Sequence, residues 1–159
     1  GGDYSVNRLL PDLVRSYLNK NTFEVRYPQA TRPFQHVIDV ANGIYSIIMN
    51  NTKHKEKNYL GDCWNLGPKN NTVMVVEDVI KLFREVFHLD DIQPRKNSLP
   101  EDILLAVDNT KYKDIFGNPK YDSAEAIIKA IEWYKKVHQD NKSPWNLTLE
   151  EVQSFLKFR

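Results

Sequence analysis

The sequence has 159 residues, of which 41% are hydrophobic and 27% charged, with a formal net charge of +1. A chain of this length buries roughly 68–70% of its unfolded surface, and its composition is that of an ordinary globular domain, which argues against disorder and against a membrane protein. Because 22 basic residues are balanced by 21 acidic ones, no long-range field gathers nucleic acid or anionic membrane, so any anion site requires a few well-placed side chains.

The first half of the chain shows alternating helical and extended patterns. Apolar residues at three- and four-residue spacing predict a helix from about Pro11 to Lys20, followed by a strand at 23–27. A second helix is predicted over 35–50 and a third from residue 75 or 76 to 88. The apolar face predicted for the second helix consists of Val37, Val40, Ala41, Ile44, Tyr45 and Ile48.

The second half of the chain is predicted to contain shorter elements. Apolar runs predict strands at 63–66 and 103–107, the second of them buried, on either side of a polar loop at 90–101. A helix at 109–116 is predicted to end at Gly117. Capping boxes at Asp122 with Glu125 and at Thr148 with Glu151 predict the starts of the last two helices. Strands alternating with helices indicate an α/β fold with a few short, mostly parallel strands.

The arrangements of residues that usually carry catalysis are not found in the sequence. The glycines after Gly2 are isolated, so no glycine-rich loop for a dinucleotide or nucleoside triphosphate is encoded. None of the eight tyrosines has a lysine four residues later, the spacing at which an ammonium group would stabilise a phenolate. The single cysteine, Cys63, excludes an internal disulfide and is expected to be buried, and the four histidines are too far apart in sequence to predict a metal site.

Three arginines near polar and aromatic residues form the candidate binding site. Arg8, Arg26 and Arg32 could hold a diphosphate, because each guanidinium donates two parallel charge-assisted hydrogen bonds. The alternative is structural: Arg8 would pair with Asp12, and Arg32 with Asp39. Residue chemistry alone favours the structural alternative.

Longer stretches of the chain carry a family resemblance. The segments GGDYSVNRLLPDLVRSYLNK and FEVRYPQATRPFQHVIDVANGIY, followed by CWNLGP and by LLAVDNTKYKDIFGNPKYDSAEAIIKAIEWYKKV, resemble CDP-glucose 4,6-dehydratases. These are extended short-chain dehydrogenases that convert CDP-glucose with tightly bound NAD. Phe34 stands where the family usually has tryptophan, and residues 90–101 match poorly.

The resemblance implies that this chain is the carboxy-terminal substrate-binding lobe, without the Rossmann core. In that case Arg32 would hold the diphosphate, and Arg8 and Leu9 would lie beside the nucleotide. Arg26 would lie near the base or ribose, and Asn65 would accept or donate a hydrogen bond near the nucleotide. His36 and Asp39 would support the Arg32 loop and cap the helix that follows. NAD would bind to the missing amino-terminal part and not to this chain, which by itself would be inactive.

Other functions remain open from the sequence. The chain could be a stand-alone nucleotide-sugar binding module, part of another epimerase or dehydratase of the same superfamily, or an interaction domain whose arginines are fortuitous. A cytoplasmic location is expected. We also expect the strand at 63–66 to be covered by another chain such as the missing amino-terminal part, by self-association or by rearrangement, because an unpaired strand exposes backbone polar groups.

Overall fold

The computed structural model describes residues 1–54, 57–88, 92–94 and 102–157, with the backbone alone described for 92–94. The protein is mostly helical. The helices are α1 (Leu9–Asn19), α2 (Val37–Lys53), α3 (Val76–Phe87), α4 (Thr110–Phe116), α5 (Ser123–His138) and α6 (Pro144–Leu156), with short 3-10 turns at Tyr59–Gly61 and Lys69–Asn71. The strands are β1 (Phe23–Val25), β2 (Thr31–Arg32), β3 (Met74–Val75) and β4 (Ile92–Pro94). No helix among the described residues is long and apolar enough to cross a membrane.

The chain divides into two compact units. Unit 1 contains Gly1–Thr31, Val75–Leu104 and Ile128–Arg159, whereas unit 2 contains Arg32–Met74 and Leu105–Ile127. The helices α1, α3 and α6 therefore belong to unit 1, and α2 and α4 to unit 2.

The expectation of mostly parallel strands needs correction. β1 pairs with β4 in parallel, with Phe23 opposite Ile92, and β2 forms a second two-stranded sheet with β3. Beside this second sheet, the amides of Val76 and Glu77 donate to the carbonyls of Ala30 and Pro28, so the two segments run in opposite directions. Strands of two or three residues form isolated pairs, and a continuous parallel sheet would need longer strands.

The core of unit 1 is built on aromatic and aliphatic side chains from α1 and α3, which pack together. Leu13 and Val14 are fully buried, as is Phe83. The ring of Phe83 stacks on that of Phe87 with centroids 4.3 Å apart, and Tyr17 meets Phe87 edge-on at 4.9 Å. The apolar spacing that predicts α1 and α3 therefore marks the buried faces of these helices.

Unit 2 has its own aromatic core. Its buried members are Ile47, Tyr59 and Tyr112, and Trp64 and Phe116 pack against them. The rings of Tyr59 and Trp64 each meet Phe116 at a steep angle, with centroids 5.4 and 5.1 Å away. The indole nitrogen of Trp64 also donates to the carbonyl of Tyr59 at 2.7 Å.

Helix α2 forms where it is predicted, but its apolar face points outward. The buried residues of this helix are Asp39, Gly43 and Ile47. The residues of the predicted face are exposed, except Val40, which is half-buried. Gly43 explains why this side of α2 is the buried one. A Cβ there would lie 3.0 Å from a methyl group of Leu66 and 3.4 Å from the hydroxyl of Tyr112, so both side chains pack close to the helix backbone. The core of unit 2 thus packs directly on the backbone of α2 at Gly43.

Both strands predicted from short apolar runs are wrong. Residues 63–66 lie in no strand, and residues 103–107 contribute an isolated bridge between Leu104 and Thr31, with Ile103, Leu104 and Leu105 exposed rather than buried. Cys63 is also exposed, contrary to expectation. An apolar run forms a strand when a neighbouring backbone is available to pair with it, and the described residues supply none for 63–66.

The helix boundaries test the capping predictions. The reciprocal bonds of a capping box are present: the amide of Glu125 donates to Asp122 at 2.8 Å, and the amide of Asp122 donates to Glu125 at 2.9 Å. The box predicted at Thr148 is wrong, because α6 already begins at Pro144 and the Thr148 hydroxyl donates to the Pro144 carbonyl within the helix. The predicted loop at 90–101 contains β4 and otherwise lies outside the described residues.

Candidate functional site

The segment around Arg32 leads from β2 into α2. Arg32 is half-buried in β2, and its carbonyl accepts a hydrogen bond from the amide of Phe34 at 3.1 Å, which turns the chain. His36 is buried and caps α2, with its Nδ1 accepting from the amide of Ile38 at 3.3 Å. Its ring meets the edge of Tyr121 with centroids 5.3 Å apart. The backbone that carries Arg32 is therefore anchored a few residues later by a buried side chain.

Asp39 anchors the same segment from the first turn of α2. Its side chain is 4% exposed, and its two carboxylate oxygens accept the amides of Lys120 and Tyr121, each at 2.9 Å. Burial raises the pKa of Asp39 above its ordinary value, and the two amide donors offset part of that rise. The carboxylate thus connects α2 to the loop between α4 and α5, which explains why a charged residue is tolerated there.

The raised pKa of Asp39 makes the stability of unit 2 depend on pH. Between its ordinary value of 3.8 and its higher folded value, the folded protein binds more protons than the unfolded one. The contribution of this group to the free energy of unfolding should therefore fall as pH rises through that window. Urea unfolding of wild type and Asp39→Asn at several acidic pH values tests this, since the variant should lose that component. Identical pH slopes for the two proteins would contradict the prediction.

Asn109 supplies a buried side-chain amide whose role was not predicted from the sequence. Asn109 is almost completely buried, and its Nδ2 donates to the carbonyls of Gly67 and Pro68, each at 3.1 Å. Gln35 Nε2 donates to the same Gly67 carbonyl at 2.8 Å. The turn at Gly67 therefore joins the Arg32 segment to the start of α4. No motif marks Asn109, because its partners are more than 40 residues away in sequence.

Asn65 lies on the surface of unit 2. Its Nδ2 donates to the carbonyl of Asp108 at 3.1 Å. Asp62 and Trp64, which lie close to Asn65 in sequence, both contact Lys111. Its ammonium group reaches the carboxylate of Asp62 at 2.7 Å and lies 4.5 Å from the centre of the Trp64 ring. No motif in the sequence marks this exposed ion pair of Lys111 and Asp62.

The remaining predicted contacts belong to unit 1. Arg8 is exposed and precedes α1, where its carbonyl accepts from the amide of Asp12, and Leu9 is half-buried. Arg26 donates to the side chain of Asn7 at 3.2 Å. The carboxylate of Asp12 pairs with Arg15, so Arg8 is not its ion-pair partner as the structural alternative had it. Arg26 therefore contacts Asn7, the residue that precedes Arg8.

The structure therefore organises the predicted residues in two sets. Arg8, Leu9 and Arg26 lie in unit 1, whereas Arg32, His36, Asp39 and Asn65 lie in unit 2. His36 and Asp39 both contact the 120–121 loop of unit 2. Their assignment to substrate binding or support remains a prediction. Among the described residues there is no group of three or more side chains suited to holding a metal ion.

Similarity to solved structures defines the class of fold. The dTDP-glucose 4,6-dehydratase of Bacillus anthracis in complex with NAD matches 83% of this chain with a TM-score of 0.63 at 20% identity. The RMD protein of Pseudomonas aeruginosa in complex with NADPH matches 79% with a TM-score of 0.59 at 13% identity. The chain therefore shares the fold of part of each of these two proteins, the first of which is a dehydratase.

Sequence similarity identifies a more particular relative. The chain is 27% identical over 138 residues to the CDP-glucose 4,6-dehydratase of Salmonella typhimurium, an alignment that covers 85% of the chain. It is a partial homologue of that enzyme. No protein-family profile matches.

The alignments cover much more of this chain than of its relatives. The chain spans 38% of the Salmonella enzyme and 40% of each of the two solved structures. About three fifths of each relative therefore have no counterpart in this sequence.

Proposed function

We propose that this chain is the substrate-binding portion of an NAD-dependent nucleotide-sugar 4,6-dehydratase whose substrate is CDP-glucose. The observation that carries this proposal is the alignment with the Salmonella CDP-glucose 4,6-dehydratase over 85% of the chain. The proposed reaction is the conversion of CDP-D-glucose to CDP-4-keto-6-deoxy-D-glucose by NAD-dependent oxidation, elimination of water and reduction. The fold match to a dTDP-glucose 4,6-dehydratase supports the reaction class.

Arg32 is the proposed anchor for the diphosphate. Its guanidinium can donate two parallel hydrogen bonds to phosphate oxygens, which a lysine cannot reproduce. The backbone a few residues after Arg32 is held by the buried side chains of His36 and Asp39, and such an anchored segment lowers the entropy lost when a ligand binds. Arg8, Leu9, Arg26 and Asn65 are further proposed contacts to the nucleotide, taken from the family resemblance.

Oxidation and water elimination need residues that this sequence does not contain. It has no glycine-rich loop and no tyrosine with a lysine four residues on. NAD and the catalytic side chains are therefore proposed to belong to the part of the enzyme that is present in the relatives and lacks a counterpart here. By itself this chain should show no dehydratase activity.

Substitution of Arg32 tests the proposed function. In protein that combines this chain with the coding sequence preceding it in the genome, Arg32→Ala should raise the KM for CDP-glucose about 10- to 100-fold, the loss expected for a charge-assisted phosphate contact. Arg32→Lys should recover part of that loss, because the positive charge remains and the bidentate geometry does not. Steady-state kinetics with CDP-glucose measure both effects.

The matched control is Arg84→Ala, which removes an exposed arginine of α3 outside the proposed site. Its KM should remain close to that of wild type. Equal KM values for wild type and Arg32→Ala would overturn the role of Arg32. If the combined protein neither bound CDP-glucose in calorimetry nor turned it over, the proposed substrate would be wrong.

A further inference from the structure

The segment that precedes α1 is held in place by side chains of unit 1. The hydroxyl of Tyr134 on α5 donates to the carbonyl of Asp3. The guanidinium of Arg15 on α1 donates to the carbonyl of Tyr4 at 2.6 Å and to that of Ser5 at 3.1 Å. Three consecutive carbonyls therefore accept hydrogen bonds from side chains, so the backbone at 3–5 has a defined path although it lies in no helix or strand.

Asn7 ends this segment in a left-handed turn. Its φ angle is 62°, a conformation that asparagine adopts more readily than most residues. Its side chain is exposed, and Oδ1 accepts a hydrogen bond from Nη2 of Arg26 at 3.2 Å. Arg26 directly follows β1, which packs against α1. Asn7 therefore connects the start of α1 with the end of β1.

The two arginines that adjoin Asn7 form no ion pair with a described residue. Arg8 follows Asn7 directly in the chain, and both Arg8 and Arg26 are exposed. Asp12, in the first turn of α1, pairs with Arg15 instead. A guanidinium without a carboxylate partner keeps its donors for the acceptor groups of a ligand.

We infer that Asn7 is a positioning residue, which holds the guanidinium of Arg26 at the amino-terminal end of α1, next to Arg8, so that the two arginines form one subsite for the nucleotide. This inference rests on the proposed function, in which both arginines contact the nucleotide. An arginine side chain has many rotamers, and fixing them when a ligand binds costs conformational entropy. The hydrogen bond to Asn7 restricts Arg26 before the ligand arrives. Because Asn7 acts through Arg26 and not on the reacting atoms, its loss should weaken binding without slowing the chemical step.

The order of the Arg26 side chain tests this inference without any nucleotide. Nitrogen-15 NMR relaxation of Arg26 Nε in the 159-residue chain gives the order parameter of this group. We expect Asn7→Gly to lower the order parameter to below about 0.6, the range of flexible groups, because glycine keeps the positive φ of position 7 and removes the acceptor. Asn141→Gly is the matched control, since Asn141 is an exposed asparagine of unit 1 with a φ angle of 52°. It should leave the order parameter of Arg26 unchanged.

Kinetics of the combined protein with CDP-glucose test what this positioning achieves. Asn7→Gly should raise KM about 3- to 10-fold and leave kcat within about twofold of wild type, since one hydrogen bond that orders a binding residue is lost. Its melting temperature should match that of Asn141→Gly, because both variants place glycine at a positive φ. In an Arg26→Ala background, Asn7→Gly should change KM by less than about twofold, because the side chain that Asn7 holds is gone.

An unchanged order parameter of Arg26 in Asn7→Gly would overturn the inference, whatever the substrate is. A KM equal to that of wild type, or an equal rise of KM in Asn141→Gly, would also overturn it. So would a full rise of KM for Asn7→Gly in the Arg26→Ala background, since Asn7 would then act by another route. All three results are compatible with normal turnover of CDP-glucose by the unsubstituted protein, which would leave the proposed function intact. A lowered order parameter in a protein that neither binds nor converts CDP-glucose would support the role of Asn7 in holding Arg26 and refute the proposed function.

Discussion

Phe83→Ala is expected to lower the free energy of unfolding of unit 1 by about 3–5 kcal/mol, the usual loss when a buried phenyl ring is removed. Phe83 has no exposed surface, and its ring lies nearly parallel to that of Phe87 at 4.3 Å. The substitution creates a cavity between α1 and α3 and removes a stacking contact. Phe83→Leu keeps much of the volume and should be less destabilising.

Urea unfolding measures this effect, with tryptophan fluorescence as the signal. Trp133 is buried in unit 1 and Trp64 is half-buried in unit 2, so Trp64→Phe isolates the transition of unit 1. Ile128→Ala, on an exposed part of α5, is the control and should stay within about 0.5 kcal/mol of wild type. A loss below about 1 kcal/mol for Phe83→Ala would show that this ring is not a core residue.

Asp39→Ala is expected to lower the free energy of unfolding of unit 2 by about 2–4 kcal/mol, because two backbone donors lose their acceptor. The amides of Lys120 and Tyr121 both donate to this carboxylate, which is 4% exposed. Asp39→Asn should be less harmful than alanine. Its amide retains one oxygen acceptor, but its NH2 group faces the second backbone donor.

The control for Asp39 is Asp114→Asn, an exposed aspartate of α4 in the same unit. Unfolding is followed by the fluorescence of Trp64 after Trp133→Phe and Trp145→Phe, which remove the two tryptophans of unit 1. The control should change the free energy of unfolding by less than about 0.5 kcal/mol. If Asp39→Ala unfolded at the same urea concentration as Asp114→Asn, the anchoring role of Asp39 would be refuted.

Local signals in the sequence predict the helices because helix formation depends on residues within one or two turns. The spacing in α1, the Asp122–Glu125 box and the Gly117 terminus all act over this range, and all are found in the structure. The same signals mislead at Thr148, where the Pro144 start lies one turn earlier and Ser143 supplies the cap. Capping motifs can therefore occur inside a helix that another residue has already started.

The candidate site shows the same division between local and distant determinants. Residue chemistry selected Arg8, Arg26 and Arg32 and left open whether carboxylates neutralise them. In the structure the carboxylate of Asp12 pairs with Arg15. The carboxylate oxygens of Asp39 accept hydrogen bonds from backbone amides that lie 81 and 82 residues away in sequence. The role of Asn109 was not predicted, since the carbonyls that it binds are 42 and 41 residues away along the chain.

By itself, the sequence determined the positions of the helices, the absence of dinucleotide and catalytic motifs, and the similarity to CDP-glucose 4,6-dehydratases. The tertiary structure decided which side of α2 is buried and which apolar runs find strand partners. Periodicity shows that a helix has an apolar face, but not what that face meets. Leu66 and Tyr112 pack so close to Gly43 that this side of α2 is buried, and most of the predicted apolar face is left exposed.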